Sequence, residues 1–165
     1  MELQRAERSD VEEIKEIFVS AKQQMTLMGI TQWTSYYPEE TQILEDIDAG
    51  DLLVSKNAQS EIVSLGTLTH RPFEAGNPSQ YTDQDWFIKR LVTSSRESGK
   101  GLGVQWIESC LESCCEQGSR VFSLTNHTNW LMQKVFCKTG FKKIEEVVIE
   151  ERKTFGPFYV YRRDR

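Results

Sequence analysis

Ser98-Gly99-Lys100-Gly101-Leu102-Gly103 stands between two segments of different period. Before it, Trp86 to Val92 reads as a strand; after it, residues 101–117 place Trp106, Ile107, Cys110, Leu111 and Cys114 on one helical face. A strand that runs through glycines into a helix start exposes several backbone N–H groups on one side, with the positive end of the helix dipole behind them, and phosphates bind at such places. Gly99, Gly101 and Gly103 carry no side chain to block close approach, and Arg96 and Lys100 add positive charge. The same glycines also suit an ordinary turn at the end of a strand. The segment is not a P-loop, because no Gly-x-x-x-x-Gly-Lys-Ser/Thr pattern is present, and after Gly101-Leu102-Gly103 the residues Gln105 and Trp106 do not complete the Gly-x-Gly-x-x-Gly spacing, Trp106 standing at the last glycine's place.

Upstream of this stretch, Ser9 and Glu12 form a capping-box signature. Val11, Ile14, Phe18, Ala21 and Met25 follow at helical spacing, so a helix is expected over 10–28 with Gly29 as its stop. Pro38 suits the first turn of a second helix, which carries Ile43, Leu44 and Ile47 and ends near Gly50. Leu52 to Lys56 and Ile62 to Thr69 read as a hairpin around the polar turn at 57–60. Downstream, Val121 to Thr125 is a short buried strand, and Trp130, Leu131, Val135 and Phe136 mark a helix that Gly140 ends. Phe141 to Ile149 and Phe158 to Tyr161 add two strands around the turn at 154–157, and Glu2 to Ala6 adds a short one. The order predicts one mixed α/β domain over residues 1–165. Only one helix joins 86–92 to 121–125, which requires those two strands to be parallel.

Composition sets the outer limits. The 165 residues are 38% hydrophobic and carry a net charge of −5 with no basic run, which argues against nucleic acid as a partner. No apolar run is long enough to cross a bilayer, and the N-terminus is charged from Glu2 onward, unlike a secretory signal; a cytoplasmic protein with no membrane partner is expected. Cys110, Cys114, Cys115 and Cys137 match neither a disulfide framework nor a zinc spacing, so they are expected as free thiols, with no metal.

The sequence resembles the GNAT acetyltransferase superfamily through three stretches in order: Arg90-Leu91-Val92, then Ser98 to Gly103, then Asn129 followed, after six intervening residues, by Phe136-Cys137-Lys138-Thr139-Gly140-Phe141. The resemblance implies a central, mostly antiparallel sheet flanked by helices, with a splayed parallel pair, 86–92 and 121–125, that holds the pantetheine arm of acetyl-CoA. It further implies that the backbone of Ser98, Gly99, Lys100, Gly101, Leu102 and Gly103, with Arg96 nearby, holds the pyrophosphate. Leu91 and Val92 would pair with the pantetheine amides, and the Val92 N–H would face the thioester oxygen as oxyanion donor. Asn129 would contact the arm and Phe136 would flank the sulfur, beside the plainer readings of helix cap and core packing.

Two departures from the family pattern stand out. Ser98 occupies the place usually held by Arg or Gln before Gly101-x-Gly103, although Arg96-x-x-Gly99-x-Gly101 satisfies the pattern shifted by two. Phe136 occupies the place of the tyrosine that many members use as general acid, so no acid is assigned here. Asp83, Asp85 and Glu150 are candidate bases by position, and His70 and His127 are available, but none is singled out. The resemblance implies an acceptor site shaped by the segment between the first two helices and by the last hairpin, with Gln32, Trp33 and Tyr36 as candidate contacts. The expected reaction transfers acetyl from acetyl-CoA to a primary amine of a small molecule or peptide. A non-catalytic acyl-CoA-binding module, or an enzyme for longer acyl chains or hydroxyl acceptors, is the alternative. A homodimer is left open.

Overall fold

The computed structural model describes residues 1–165. Seven strands form one sheet in the order β1-β2-β3-β4-β5-β7-β6. They are β1 (Gln4–Arg5), β2 (Leu52–Lys56), β3 (Ile62–Thr69), β4 (Trp86–Thr93), β5 (Arg120–Asn126), β6 (Lys142–Val147) and β7 (Phe158–Asp164). Every neighbouring pair is antiparallel except β4 and β5, which are parallel as the single crossover helix requires. The helices are α1 (Val11–Leu27), α2 (Glu40–Asp48), α3 (Leu102–Cys114) and α4 (Trp130–Lys138).

Apolar periodicity selects the buried faces. Ile14, Ile17, Phe18 and Ala21 of α1 and Ile43 and Ile47 of α2 pack on Val54, Leu65 and Val92 of the sheet. Trp106, Ile107, Cys110 and Leu111 of α3 and Phe136 of α4 pack with Ile88, Val121 and Tyr161 in a second cluster. A third, aromatic cluster joins Phe73, Phe87, Phe122 and Phe158, with the Phe87 and Phe122 rings stacked at 5.6 Å across the parallel pair. Cys110 and Cys115 are buried in the second cluster and Cys114 packs against it, while Cys137 is exposed; all four are free.

Several boundaries differ from the sequence expectation for local reasons. A 3-10 turn at Arg8–Asp10 precedes α1, so Ser9 lies inside that turn, and the Glu7 N–H donates to Asp10 Oδ2 at 2.9 Å in place of a Ser9–Glu12 box. Helix α2 starts at Glu40, not at Pro38, and its entry is closed by the Glu39 N–H donating to Gln42 Oε1 at 3.2 Å. Helix α3 stops at Cys114, short of Gly118, because Cys115 turns extended (φ −108°, ψ 132°) and buries its thiol. Strand β6 ends at Val147, and Glu150–Phe155 forms 3-10 turns. Strand β7 runs on to Asp164, since Arg162 to Asp164 pair with Phe122 to Arg120.

Candidate active site

Strands β4 and β5 begin side by side and then part. Their register runs only from Trp86 opposite Val121 to Ile88 opposite Ser123, where Ser123 Oγ donates to the Ile88 carbonyl at 2.9 Å. Beyond that point β5 stays with β7 as far as Asn126, and β4 stays with β3 as far as Thr93. A gap therefore opens toward the C-terminal ends of both strands, where the chain leaves β4 for the glycine turn.

A bulge accompanies the gap. Lys89 faces Thr67 and Val92 faces Leu65, so Arg90 and Leu91 together oppose Gly66. Only glycine fits at 66, because a Cβ there would stand 2.9 Å from the Trp106 ring and 3.3 Å from Leu91. Arg90 takes a left-handed φ of 53°, which is unfavourable for a branched-off side chain unless its surroundings hold it. They do: Arg90 Nε donates to Asp46 Oδ2 at 3.0 Å, its Nη2 also bonds that oxygen, and its Nη1 donates to the Tyr37 hydroxyl at 2.8 Å. Asp46 is 2% exposed and also accepts from Thr67 Oγ1 at 2.6 Å and Arg71 Nη2 at 2.9 Å.

The register decides which amides face the gap. Ser94 donates its N–H to the Val63 carbonyl at 2.9 Å, and bonded pairs alternate along an antiparallel ladder. Val92, two residues back and opposite Leu65, thus turns its N–H toward β3. By the same register the Thr93 N–H is directed away from β3, while Leu91 lies within the bulge.

At the end of the gap, Ser95–Glu97 makes a 3-10 turn, and Gly101, left-handed at φ 74°, is the N-cap of α3. The N–H groups of Gly99, Lys100 and Gly101 donate to no backbone acceptor, and those of Leu102 and Gly103 lie in the first turn, where none exists within the helix. A Cβ at Gly99 or Gly101 would meet nothing within 4 Å, so this side of the turn is open. Gly101 is at the cap and Gly103 in the first helical turn, with Ser98 three residues before Gly101 at the end of the 3-10 turn. Arg96 is exposed and 3.8 Å from Glu61, and Lys100 pairs with Glu97 at 2.7 Å.

On the α1/α2 side lies a cavity of about 540 Å³ between the segment after α1, the 71–75 loop, Ile88 to Arg90 and the Ile149 to Arg152 region. Lys89 projects into it with Nζ donating to the Pro72 carbonyl at 2.9 Å. Burial first, then the Arg90 and Arg71 charges, push its ammonium down to about 8. Arg152 Nη1 donates to the Gln32 carbonyl at 2.9 Å, and burial pulls its guanidinium below the ordinary value.

No family model matches the chain, and no curated protein does. Solved structures do. A GNAT-family acetyltransferase from Streptococcus agalactiae superposes with a TM-score of 0.83 at 18% identity, over 99% of this chain and 95% of that one. The chain has the GNAT fold. A GNAT-superfamily phosphinothricin acetyltransferase from Sinorhizobium meliloti, in complex with acetyl-CoA, superposes at 0.71 with 14% identity, over 98% and 86% of the two chains. A spermidine N-acetyltransferase from Vibrio cholerae does so at 0.65 with 13% identity, over 98% and 94%.

Within this GNAT fold the sequence-predicted residues divide. Leu91 lies along the gap, and residues 98–103 lie at its end. Asn129 caps α4, its Oδ1 accepting from the Met132 N–H at 3.1 Å and its Nδ2 donating to Gln32 at 3.3 Å. Phe136 is 1% exposed and packs on Phe141 and Tyr161 at ring distances of 5.4 and 4.8 Å. Gln32, Trp33 and Tyr36 line the cavity. Gln32 Oε1 is held by Thr125 Oγ1 and the Asn126 N–H, both at 2.8 Å, and Trp33 packs edge-on against Phe18.

The candidate bases lie elsewhere. Burial raises the Asp85 carboxyl, but the Arg120 guanidinium and the Thr82 N–H outweigh it and hold the group below its ordinary value, at the closed end of β4. Asp83 is exposed, and Glu150 is an exposed partner of Lys153. His70 bonds the Asp85 carbonyl and stacks on Trp86, while His127 bonds the Phe155 carbonyl. Sequence reasoning missed Tyr37, Asp46, Arg71, Lys89, Arg90 and Arg152. The one local signal was Lys89-Arg90 within an otherwise apolar strand, two adjacent charges that strict alternation would not place together.

Proposed function

We propose that this chain, in the cytoplasm, transfers an acetyl group from acetyl-CoA to a primary amine of a small molecule or peptide by direct attack in a ternary complex. The observation that carries this reading is the gap between β4 and β5 ending at a glycine turn with unbonded N–H groups. The pyrophosphate sits against the amides of Gly99 to Gly103, where the α3 dipole adds its field. The pantetheine arm completes the open edge of β4 through Leu91 and Thr93. One of these N–H groups stabilises the oxyanion as the neutral amine nitrogen bonds to the thioester carbon. The C–S bond then breaks, CoA leaves as thiolate, and the amine proton passes to water. Phe136 cannot donate a proton, and a thiolate with a pKa of about 8.5 departs without one. The large side cavity, reached from the same stretch of β4, holds the acceptor, and holding both reactants supplies much of the acceleration.

The test is free-thiol release from acetyl-CoA against a panel of amines, with the acetylated amine identified by mass. Amine-dependent release is expected. Tight CoA binding with no amine-dependent release would instead identify a non-catalytic acyl-CoA-binding module.

A further inference from the structure

The acceptor cavity holds two cations that no carboxylate neutralises. Arg90 and Arg71 share Asp46, so their charges are answered inside the protein. Arg152 and Lys89 form no ion pair: each spends one hydrogen bond on a backbone carbonyl, of Gln32 and Pro72 respectively. The Arg152 guanidinium is fixed between two rings, 4.9 Å from the Tyr37 centroid and 4.8 Å from the Phe158 centroid. Lys89 Nζ lies 5.6 Å from the Phe73 centroid. Glu45, Glu74 and Glu151 also line the cavity, but all three are exposed residues at its rim, where water screens them.

A half-buried cation without a counter-charge is unfavourable, as the lowered values of both groups record. A planar guanidinium clamped between rings keeps its remaining N–H donors in the fork that matches a carboxylate. Resting on the acyl-transfer reading above, we infer that the acceptor is an amine that also carries a carboxylate, an amino acid or a peptide end, and that this carboxylate docks on Arg152 and Lys89. The cavity reaches from Arg152 to Ile88 at the mouth of the β4–β5 gap, so such a molecule has its carboxylate at one end and its amine at the thioester. The local field thus opposes the acidic net charge of −5, which by itself would favour polyamines.

The experiment compares free amino acids, their carboxamides and spermidine. It uses two readouts: thiol release from acetyl-CoA, and calorimetric binding to the CoA-saturated protein. The best amino acid should exceed its carboxamide at least tenfold in kcat/KM. Arg152→Gln, which keeps a donor for the Gln32 carbonyl, should remove most of that preference through KM while leaving CoA affinity unchanged, and Arg152→Lys should restore part of it. Lys89→Gln should act in the same direction, which guards against a folding defect in one variant. Carboxamides or spermidine used as well as the best amino acid, or a preference untouched by Arg152→Gln, would overturn the assignment while the acyl-transfer reading stands. Amino acids that bind the wild type and not Arg152→Gln, yet are never acetylated, would uphold the carboxylate dock and sink the acyl-transfer reading. Amino acids that neither bind nor react overturn the dock.

Discussion

The two ends of the β4–β5 pair are built on opposite principles. At the closed end, where both strands start, Arg120 Nε donates to Asp85 Oδ1 at 2.8 Å, the Phe87 and Phe122 rings stack, and Ser123 answers the Ile88 carbonyl. Apolar contact is dense there and the charges are paired, with the buried Tyr81 hydroxyl, whose ring lies 5.0 Å from both Phe87 and Phe122, left without a hydrogen-bond partner. At the open end the strands part, Arg90 is held left-handed by Asp46 and Tyr37, and the amides of the glycine turn have no partner. A run of unbonded backbone amides beside parted strands is found only at the open end, which is the end proposed to take the ligand.

Substitutions at the two ends should separate stability from binding. The largest effect is expected at the closed end: Phe122→Ala removes a ring that is 2% exposed and should cost about 3–5 kcal/mol by thermal or denaturant unfolding. CoA affinity in the folded fraction should be unchanged; a selective loss of CoA binding would mean that the two ends are not independent. At the open end, Gly101→Val should lower CoA affinity tenfold or more, since a branched side chain would enter the empty space beside the amides. Its own cost to stability is the left-handed backbone, about 1–2 kcal/mol. An unchanged affinity in the folded variant would remove the phosphate site from this turn.

A smaller effect is expected at Lys89. Its folded value of about 8 lies below the ordinary lysine value of about 10.4, so between these the unfolded chain binds the extra proton and stability rises with pH. At neutral pH the charged form is therefore a cost. Lys89→Met should raise stability by about 1 kcal/mol at pH 7, after allowance for solvent screening, with the gain vanishing above pH 10. Unfolding curves at pH 7 and 10.5 check this; equal differences at both would refute it.

The local elements were the more legible in the sequence. Leu52–Lys56 and Ile62–Thr69 begin and end where their apolar runs meet polar turns, and the glycine turn announced itself by composition. What the sequence did not reveal is long-range. Asp46 meets Arg90 across 44 residues, and Arg152 reaches Gln32 across 120, with no local pattern to join them. The resemblance implies Val92 as oxyanion donor, but two residues opposite Gly66 shift the alternation, so the direction of each β4 amide depends on the partner strand as well as on position. Asn129 and Gln32 were legible as polar residues near the site, yet their amides are used on each other and on the start of α4.

Residue-resolved amide hydrogen exchange reads directly which amides the proposed acetyl-CoA would cover. Adding CoA should slow exchange at Leu91, Thr93 and Gly99 to Gly103, and leave the Val92 amide, already committed to β3, at its slow free-protein rate. Fast exchange at Val92 in the free protein with protection only when CoA is added, or no protection at the glycine turn, would contradict that placement.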